Sequence, residues 1–356
     1  MTSEPLLSAQ ALRAAVLSTL DEFLAEQGEI LTDISADLGP FRTWLGELVS
    51  GGKRLRPAFC VWGYLGAGGT DLAAGLRAAT SLELLQACAL IHDDVMDDSD
   101  TRRGKPAAHR RFATLHRGSS WLGDAGRFGD GAAILLGDLC LSWADEMLYR
   151  SGFGPEPLGR AKRVYDRMRT ELMAGQYLDL LEQARGGGSV DRSLLVVRYK
   201  SAKYTIERPL HMGAALAGAD ESFLAALSAY GLPLGEAFQL RDDLLGVFGD
   251  PAQTGKPAGD DLREGKRTLL VATAMQRATP EQAEHLREGL GDPHLGPEAN
   301  EELRGIIVAT GAVDEVESVI ARRTAEALGA LAAMGLSEEA HAALTALSVA
   351  ATARSV

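Results

Sequence analysis

Cysteine is scarce in this 356-residue chain: there are three, Cys60, Cys88 and Cys140, all in apolar contexts and without zinc-ligand spacing. That excludes a disulfide framework and a thiolate metal cluster, and it reads as buried thiols. Aromatic residues make up 6% of the chain, and asparagine occurs once, as Asn300. Alternating β-branched runs, the mark of half-buried strands, are almost missing. Basic residues are outnumbered, 36 Lys and Arg against 49 Asp and Glu, for a formal net charge of −13. Such a balance disfavours nucleic acid and anionic membrane surfaces as partners. Met1 to Leu20 has no basic stretch ahead of an apolar one, so no signal peptide is expected. No unbroken apolar run reaches the ~20 residues of a membrane helix. The expectation is a cytoplasmic protein without nucleic-acid partner or stable membrane insertion.

What remains is dominated by Ala, Leu, Glu and Arg, with 46% hydrophobic residues, enough for a sizeable core. Apolar residues recur at helical spacing: Leu12, Val16, Leu20 and Leu24; then Leu82, Leu85, Ala89 and Val95, widened by Leu84 and Ile91; then Leu172, Tyr177, Leu178 and Leu181; then Leu227, Tyr230, Leu234, Phe238 and Leu245. Breaks fall at Gly/Pro clusters such as Gly51-Gly52, Gly66 to Gly69, Gly186 to Gly188 and Gly249-Asp250-Pro251. Leu115 to Gly131, rich in glycine and polar residues, reads as a long surface loop. No repeat is visible that would suggest a solenoid. The pattern predicts an all-α fold, a single domain over residues 1–356, with 1–35 an N-terminal helix and 280–356 completing a large helical bundle.

Two segments carry one chemical plan. The first is His92-Asp93-Asp94-Val95-Met96-Asp97-Asp98, followed by Thr101-Arg102-Arg103-Gly104-Lys105-Pro106. The second is Arg241-Asp242-Asp243-Leu244-Leu245-Gly246, followed by Thr254-Gly255-Lys256-Pro257 and Asp260-Asp261. Each is an apolar helix ending in paired acids and then a basic, Gly-containing loop. On a helix, Asp93 and Asp97 fall on one face, one turn apart. Two like charges there are unfavourable unless a cation neutralises them, and oxygen-only ligands suit Mg2+. One such motif could be a solvated helix end; the second makes a two-sided metal site the better reading. Cations accompany both: Lys53, Arg54 and Arg56 in a compact turn, Arg102 and Arg103, Lys200 and Lys203 beside Ser201 and Tyr204, and Lys256 and Lys266. Guanidinium forks and mobile ammoniums beside metal-binding acids point to a polyanion such as diphosphate. His92 reads as a packing residue.

On GGKRLRP, LLQACALIHDDVMDDSDTRRGKP, YKSAKYT and FQLRDDLLGVFGDPAQTGKPAGDDLREGKRT, the chain resembles the trans-isoprenyl diphosphate synthases, the polyprenyl synthetase family, from about Gly51 to Leu270. The resemblance implies a helical bundle around a deep central cavity, a homodimer, and head-to-tail joining of isopentenyl diphosphate to an allylic diphosphate with three Mg2+ per site. By position it implies that Asp93, Asp97 and Asp242 bind metal, with Asp94, Asp243 and Asp261 in support. It implies that Lys53, Arg56, Gln86 and Arg103 hold isopentenyl diphosphate and that Arg102, Lys200, Lys256 and Lys266 hold the allylic diphosphate. Ser201 and Gln239 become polar neighbours of the reacting carbons. The departure is Gly246, where many members carry a further aspartate.

Chain length is expected to be set one and two turns before Asp93, by Cys88 and Ala89 and then by Leu84 and Leu85. Small residues at the first pair favour geranylgeranyl diphosphate (C20), with farnesyl or C25 and longer products as alternatives. Two other classes remain open: a class I terpene cyclase, although its second metal motif is not found, and a non-catalytic synthase subunit, which only Gly246 favours.

Overall fold

The computed structural model of the chain describes residues 8–186, 188–250 and 259–352. Nearly all regular structure there is helical, as the periodicity predicts; the exception is a short hairpin, β1 (Thr101–Arg102) against β2 (Lys105–Pro106). Long helices start where a short polar side chain can accept an orphan backbone N–H. Ser8 does this for α1 (Ala9–Ile34), and Asp71 for α4 (Leu72–Met96). Between them lie α2 (Gly39–Ser50) and α3 (Leu55–Gly66). α5 (Ala108–Gly118) is followed by α6 (Ala125–Tyr149), capped by Asp124. α7 (Pro155–Ala184) opens on a proline, whose missing N–H costs nothing at that position.

The expected loop from Leu115 to Gly131 is therefore short. α5 runs to Gly118 and α6 begins at Ala125. Burial of Ala133, Leu136, Cys140 and Trp143 outweighs the poor propensity of the glycines in the first turns of α6.

α4 is buried around most of its circumference from Ala74 to Ile91, so it is a core helix rather than an amphipathic one. Among the described helices it alone has the length and composition to cross a bilayer, and most of that stretch is covered by its neighbours. Leu82, Leu84, Leu85 and Cys88 pack with Leu136, Cys140 and Ala144 of α6 in the largest apolar cluster. A second cluster joins α10 (Glu221–Phe248) to the helices after it, and a third joins α3 and α10 to the C-terminal helices.

Between α8 (Val190–Val196) and α9 (Arg208–Ala217) the chain stays helical but widens into a π-helix over Val197–Glu207. Two glycines admit it. A Cβ on Gly175 of α7 would stand 2.7 Å from Lys200 Cα, and one on Gly235 of α10 would stand 2.6 Å from Ala202 Cα. Any larger residue at either place would push away the backbone that carries Lys200 and Ser201.

Candidate active site

α4, α7, the π-helix and α10 enclose a cavity of about 700 Å³. Acids and cations line part of it, and Ala89, Leu90, Leu172, Val197, Phe238 and Leu245 supply apolar lining.

Asp93 of α4 lines the cavity. Its Oδ1 accepts from Gln176 Nε2 at 3.0 Å and from Lys200 Nζ at 3.1 Å. Burial disfavours its charge, yet Lys200, Lys266 and Arg102 together hold it well below the usual carboxylate range. Asp94 is buried and accepts a forked pair from Arg102, with Nε at 2.8 Å. Asp94 thus orients an arginine. Asp97 departs from the helical expectation: α4 ends at Met96, and Asp97 is the capping residue, its N–H still bonded to the Asp93 carbonyl at 2.8 Å. Its side chain is 1% exposed and lies 3.5 Å from Lys266 Nζ, and neither carboxylate oxygen has a hydrogen-bond partner. Burial and then the nearby Asp93 charge push it up to about 6. His92 turns to α6, with Nε2 3.0 Å from the Ile134 carbonyl.

Asp242 and Asp243 line the cavity from α10, Asp242 exposed and Asp243 buried. Asp243 accepts from Gln239 Nε2 at 2.7 Å, and Gln239 Oε1 accepts from Ser201. Burial, reinforced by Asp261 and Asp242 against the Gln239 bond, pushes Asp243 up to about 8. Lys266 Nζ lies 2.7 Å from Glu264, 3.5 Å from Asp97 and 3.5 Å from Asp261. Lys200 Nζ donates to Asp179 at 2.6 Å. Burial disfavours both ammoniums, but the surrounding carboxylates outweigh it and raise them above the ordinary lysine range.

Lys53, Arg56 and Arg103 meet the same cavity. Lys53 is exposed on its lining. Arg56 stacks over the Tyr204 ring at 4.3 Å and donates to Thr205 at 2.9 Å. Gln86 accepts from the Tyr204 hydroxyl at 2.8 Å. Arg103 and Gly104 form the two-residue turn of the hairpin, with φ of 54° and 72°, the left-handed pair such a tight turn needs. Arg103 donates to the carbonyls of Leu48 and Gly51, the latter at 2.9 Å. Lys256 lies outside the described residues, as do Thr254, Gly255 and Pro257. Lys203 is absent from the cavity lining and pairs with Glu207 at 2.9 Å.

Leu84, Leu85, Cys88 and Ala89 carry the chain-length expectation. Only Ala89 of its four residues reaches the cavity; Leu84, Leu85 and Cys88 are buried in the cluster shared with α6. At about 100° per residue, Leu84 and Cys88 lie roughly 180° and 140° around α4 from Asp93, whereas Ala89 lies about 40° away. Glu83, Gln86 and Leu90 share the cavity face. Sequence reading also missed Gln176 and Asp179, which bond Asp93 and Lys200, and Glu264, which holds Lys266. The i, i+4, i+7 spacing of Leu172, Gln176 and Asp179 on one helix was the available signal.

Among the described residues no three metal-ligating side chains converge on one point. The donor set is nonetheless suited to a hard cation that takes its other ligands from water and phosphate: it is all carboxylate oxygen, and Asp97 holds two buried oxygens without hydrogen-bond partners. Lys266 reaches the first motif at Asp97 and the segment after the second motif at Asp261, so the two motifs face each other across one charge. Such a site can grip a polyanion between carboxylates and cations beside an apolar volume.

A family model described as polyprenyl synthetase matches residues 41–307. The structure of a geranylgeranyl pyrophosphate synthase from Corynebacterium glutamicum, complexed with isoprenyl diphosphate and magnesium, superposes with a TM-score of 0.95 at 45% identity, covering 98% of this chain and 100% of that one. The geranylfarnesyl diphosphate synthase of Aeropyrum pernix is 35% identical over 277 residues, 76% of this chain and 79% of its own length. The (2E,6E)-farnesyl diphosphate synthase of Mycobacterium tuberculosis is 38% identical over 220 residues, 62% of this chain and 56% of its own.

Proposed function

The chain belongs to the polyprenyl synthetase family and is a prenyltransferase of the trans-prenyl diphosphate synthase kind, and on that footing we propose that it joins isopentenyl diphosphate head to tail to allylic diphosphates and stops at C20. The observation that carries the reading is the Lys266 ammonium shared between Asp97 and Asp261, which brings the first acidic motif and the segment after the second within reach of one charge.

Asp93, Asp97 and Asp242 would hold Mg2+, three ions per site, with Asp243 and Asp261 in support. Bound there, the ions neutralise negative charge on the leaving diphosphate. The chain's own groups do the rest. Arg102, Lys200 and Lys266 bind the allylic diphosphate and stabilise the charge that grows on it as the C–O bond breaks. Asp94 aims Arg102 by its forked bond. Lys53, Arg56, Gln86 and Arg103 hold isopentenyl diphosphate so that its double bond faces the allylic carbon. Ser201 and Gln239 lie beside the reacting carbons, and the apolar lining keeps water from the allylic cation. The proton lost from the new chain passes to the departing diphosphate.

C20 is favoured by the small Ala89 on the cavity face and by the full-length likeness to a geranylgeranyl pyrophosphate synthase. Relatives that make C15 and C25 products set the alternatives. The test is mass spectrometry of products from the purified chain with Mg2+, isopentenyl diphosphate and dimethylallyl, geranyl or farnesyl diphosphate. Geranylgeranyl diphosphate as the main product is expected; farnesyl or C25 diphosphate overturns the length, and no diphosphate product overturns the function. A homodimer is part of the same proposal, supported by the exposed apolar residues of α6 and α7.

A further inference from the structure

The turn Gly51-Gly52-Lys53-Arg54-Leu55-Arg56 carries three cations close together, and the structure divides them. Lys53 is exposed on the cavity lining, and Arg56 reaches Tyr204 and Thr205. Arg54 borders the same cavity but turns inward. Its side chain is 3% exposed; Nη1 donates to Glu83 of α4, and Nη2 donates to the Val49 carbonyl in the last turn of α2. Both terminal nitrogens are therefore used within the protein.

α2 needs that donor. The last carbonyls of a helix have no intrahelical partner. Here side chains supply them: the Ser50 hydroxyl for Glu47 at 2.8 Å, Arg103 for Leu48, and Arg54 for Val49. The position also requires a left-handed backbone, with φ of 56° and ψ of 34° at the start of α3. Glycine takes that conformation freely, whereas a larger residue is held in it only where its surroundings over-determine it. Val49 and Glu83 do so from two different helices. Glu83 carries the tie into the site. It is buried on α4, one turn before Gln86, and both residues line the cavity. The Arg54–Glu83 pair thus joins the turn that carries Lys53 and Arg56 to the helix that carries Gln86.

We propose that Arg54 and Glu83 are a positioning pair for isopentenyl diphosphate. They hold the basic turn at a fixed distance from α4, so that Lys53 and Arg56 on the turn and Gln86 on the helix converge on one ligand. Neither member of the pair touches that ligand. This inference rests on the prenyl diphosphate synthase reading, since it takes Lys53, Arg56 and Gln86 as the groups that bind isopentenyl diphosphate. It also gives one of the three cations of the turn a task different from that of its neighbours: Arg54 places the other two.

The readout is the KM for each substrate beside kcat, with melting temperature as the folding control. Arg54→Lys keeps a positive charge beside Glu83 but offers one point donor in place of a fork. It should raise the KM for isopentenyl diphosphate about tenfold, while kcat and the KM for geranyl diphosphate stay within about twofold, the pattern of binding lost at one subsite. The double variant Arg54→Met with Glu83→Leu replaces the buried pair by apolar side chains, a change that folding tolerates. It should show the same rise at a melting temperature near that of the wild type. A purely structural pair would raise both KM values together, or would let the double variant recover the wild-type KM; either result overturns the proposal. An Arg54→Lys protein within about twofold of the wild type for isopentenyl diphosphate overturns it as well. If Arg54→Lys alone melts early, the double variant decides; if both melt early, the pair belongs to folding and the proposal falls. A wild type that forms no diphosphate product overturns the proposed function instead, whereas an active wild type with unaffected variants overturns only the role of Arg54 and Glu83.

Discussion

Asp93 keeps its charge in a buried setting because Lys200, Lys266 and Arg102 surround it, whereas Asp97 and Asp243 are pushed toward the neutral form by burial and by neighbouring acids. Replacing Asp93 with alanine should therefore lower Mg2+-dependent turnover on the order of 100-fold or more, the scale for losing one preorganised charge partner. Initial rates at saturating Mg2+ check this, and near-normal turnover would remove Asp93 from the metal set. Away from the cavity, His211 is fixed as a neutral ring: Arg208 donates to Nδ1 at 3.0 Å, and Nε2 faces the Leu224 carbonyl and the Ser228 hydroxyl, each at 3.0 Å. Burial, with Arg208 and Lys203 nearby, lowers it from 6.5 to about 4, although Glu207 works the other way. The unfolded chain takes up this proton first, so the contribution is whole above the unfolded value of 6.5 and is lost as pH falls toward about 4. The loss is on the order of 3 kcal/mol. Urea midpoints of the wild type and His211→Gln should converge over that window. Their difference isolates the imidazole, because Asp97 and Asp243 titrate in the opposite sense, and parallel curves would refute the assignment. The charged residues of the site were legible because acids and cations clustered at apolar helix ends. Arg54 was legible as one cation of a basic turn, but its inward bonds to Val49 and Glu83 were not, since they depend on how the turn meets α4.

At the scale of elements, α4 shows what a periodic pattern can and cannot give. Its existence, its apolarity and its acidic end were readable; its rotation was not, because a helix buried nearly all round has no polar side to mark its phase. Only the packing on α6 sets Cys88 away from the cavity and Ala89 toward it. Ala89→Phe should therefore shift the main product from C20 to C15. Cys88→Phe should leave product length alone and lower the melting temperature, as overpacking costs about 1–3 kcal/mol. Product chromatography of the two variants is the check, and shortening by Cys88→Phe would place Cys88 on the path of the growing chain. The π-helix was equally invisible, since over 11 residues its apolar positions fit a regular helix almost as well. The α5–α6 connection was overestimated because glycine was read as a breaker where tertiary contacts override its propensity.

On the whole molecule, fold class and family followed from two motifs and a helical pattern, while assembly depends on surface left uncovered. Leu135 of α6 is 63% exposed, and Tyr177 of α7 is 64% exposed, with Phe128, Ile134 and Met173 nearby in sequence on the same helices. If this surface joins two copies, Leu135→Asp places an uncompensated charge there at a cost of about 3–5 kcal/mol. Sedimentation should then change from dimer to monomer, and an unaltered dimer would move the interface elsewhere. Finally, the β1–β2 hairpin carries two neighbouring arginines with opposite attachments: Arg102 grips Asp94 at the end of α4, and Arg103 grips the Leu48 and Gly51 carbonyls ahead of α3. The hairpin is therefore a strap buckled at both ends: one short turn ties the close of α4 to the segment ahead of α3 and fixes the spacing of its two guanidiniums.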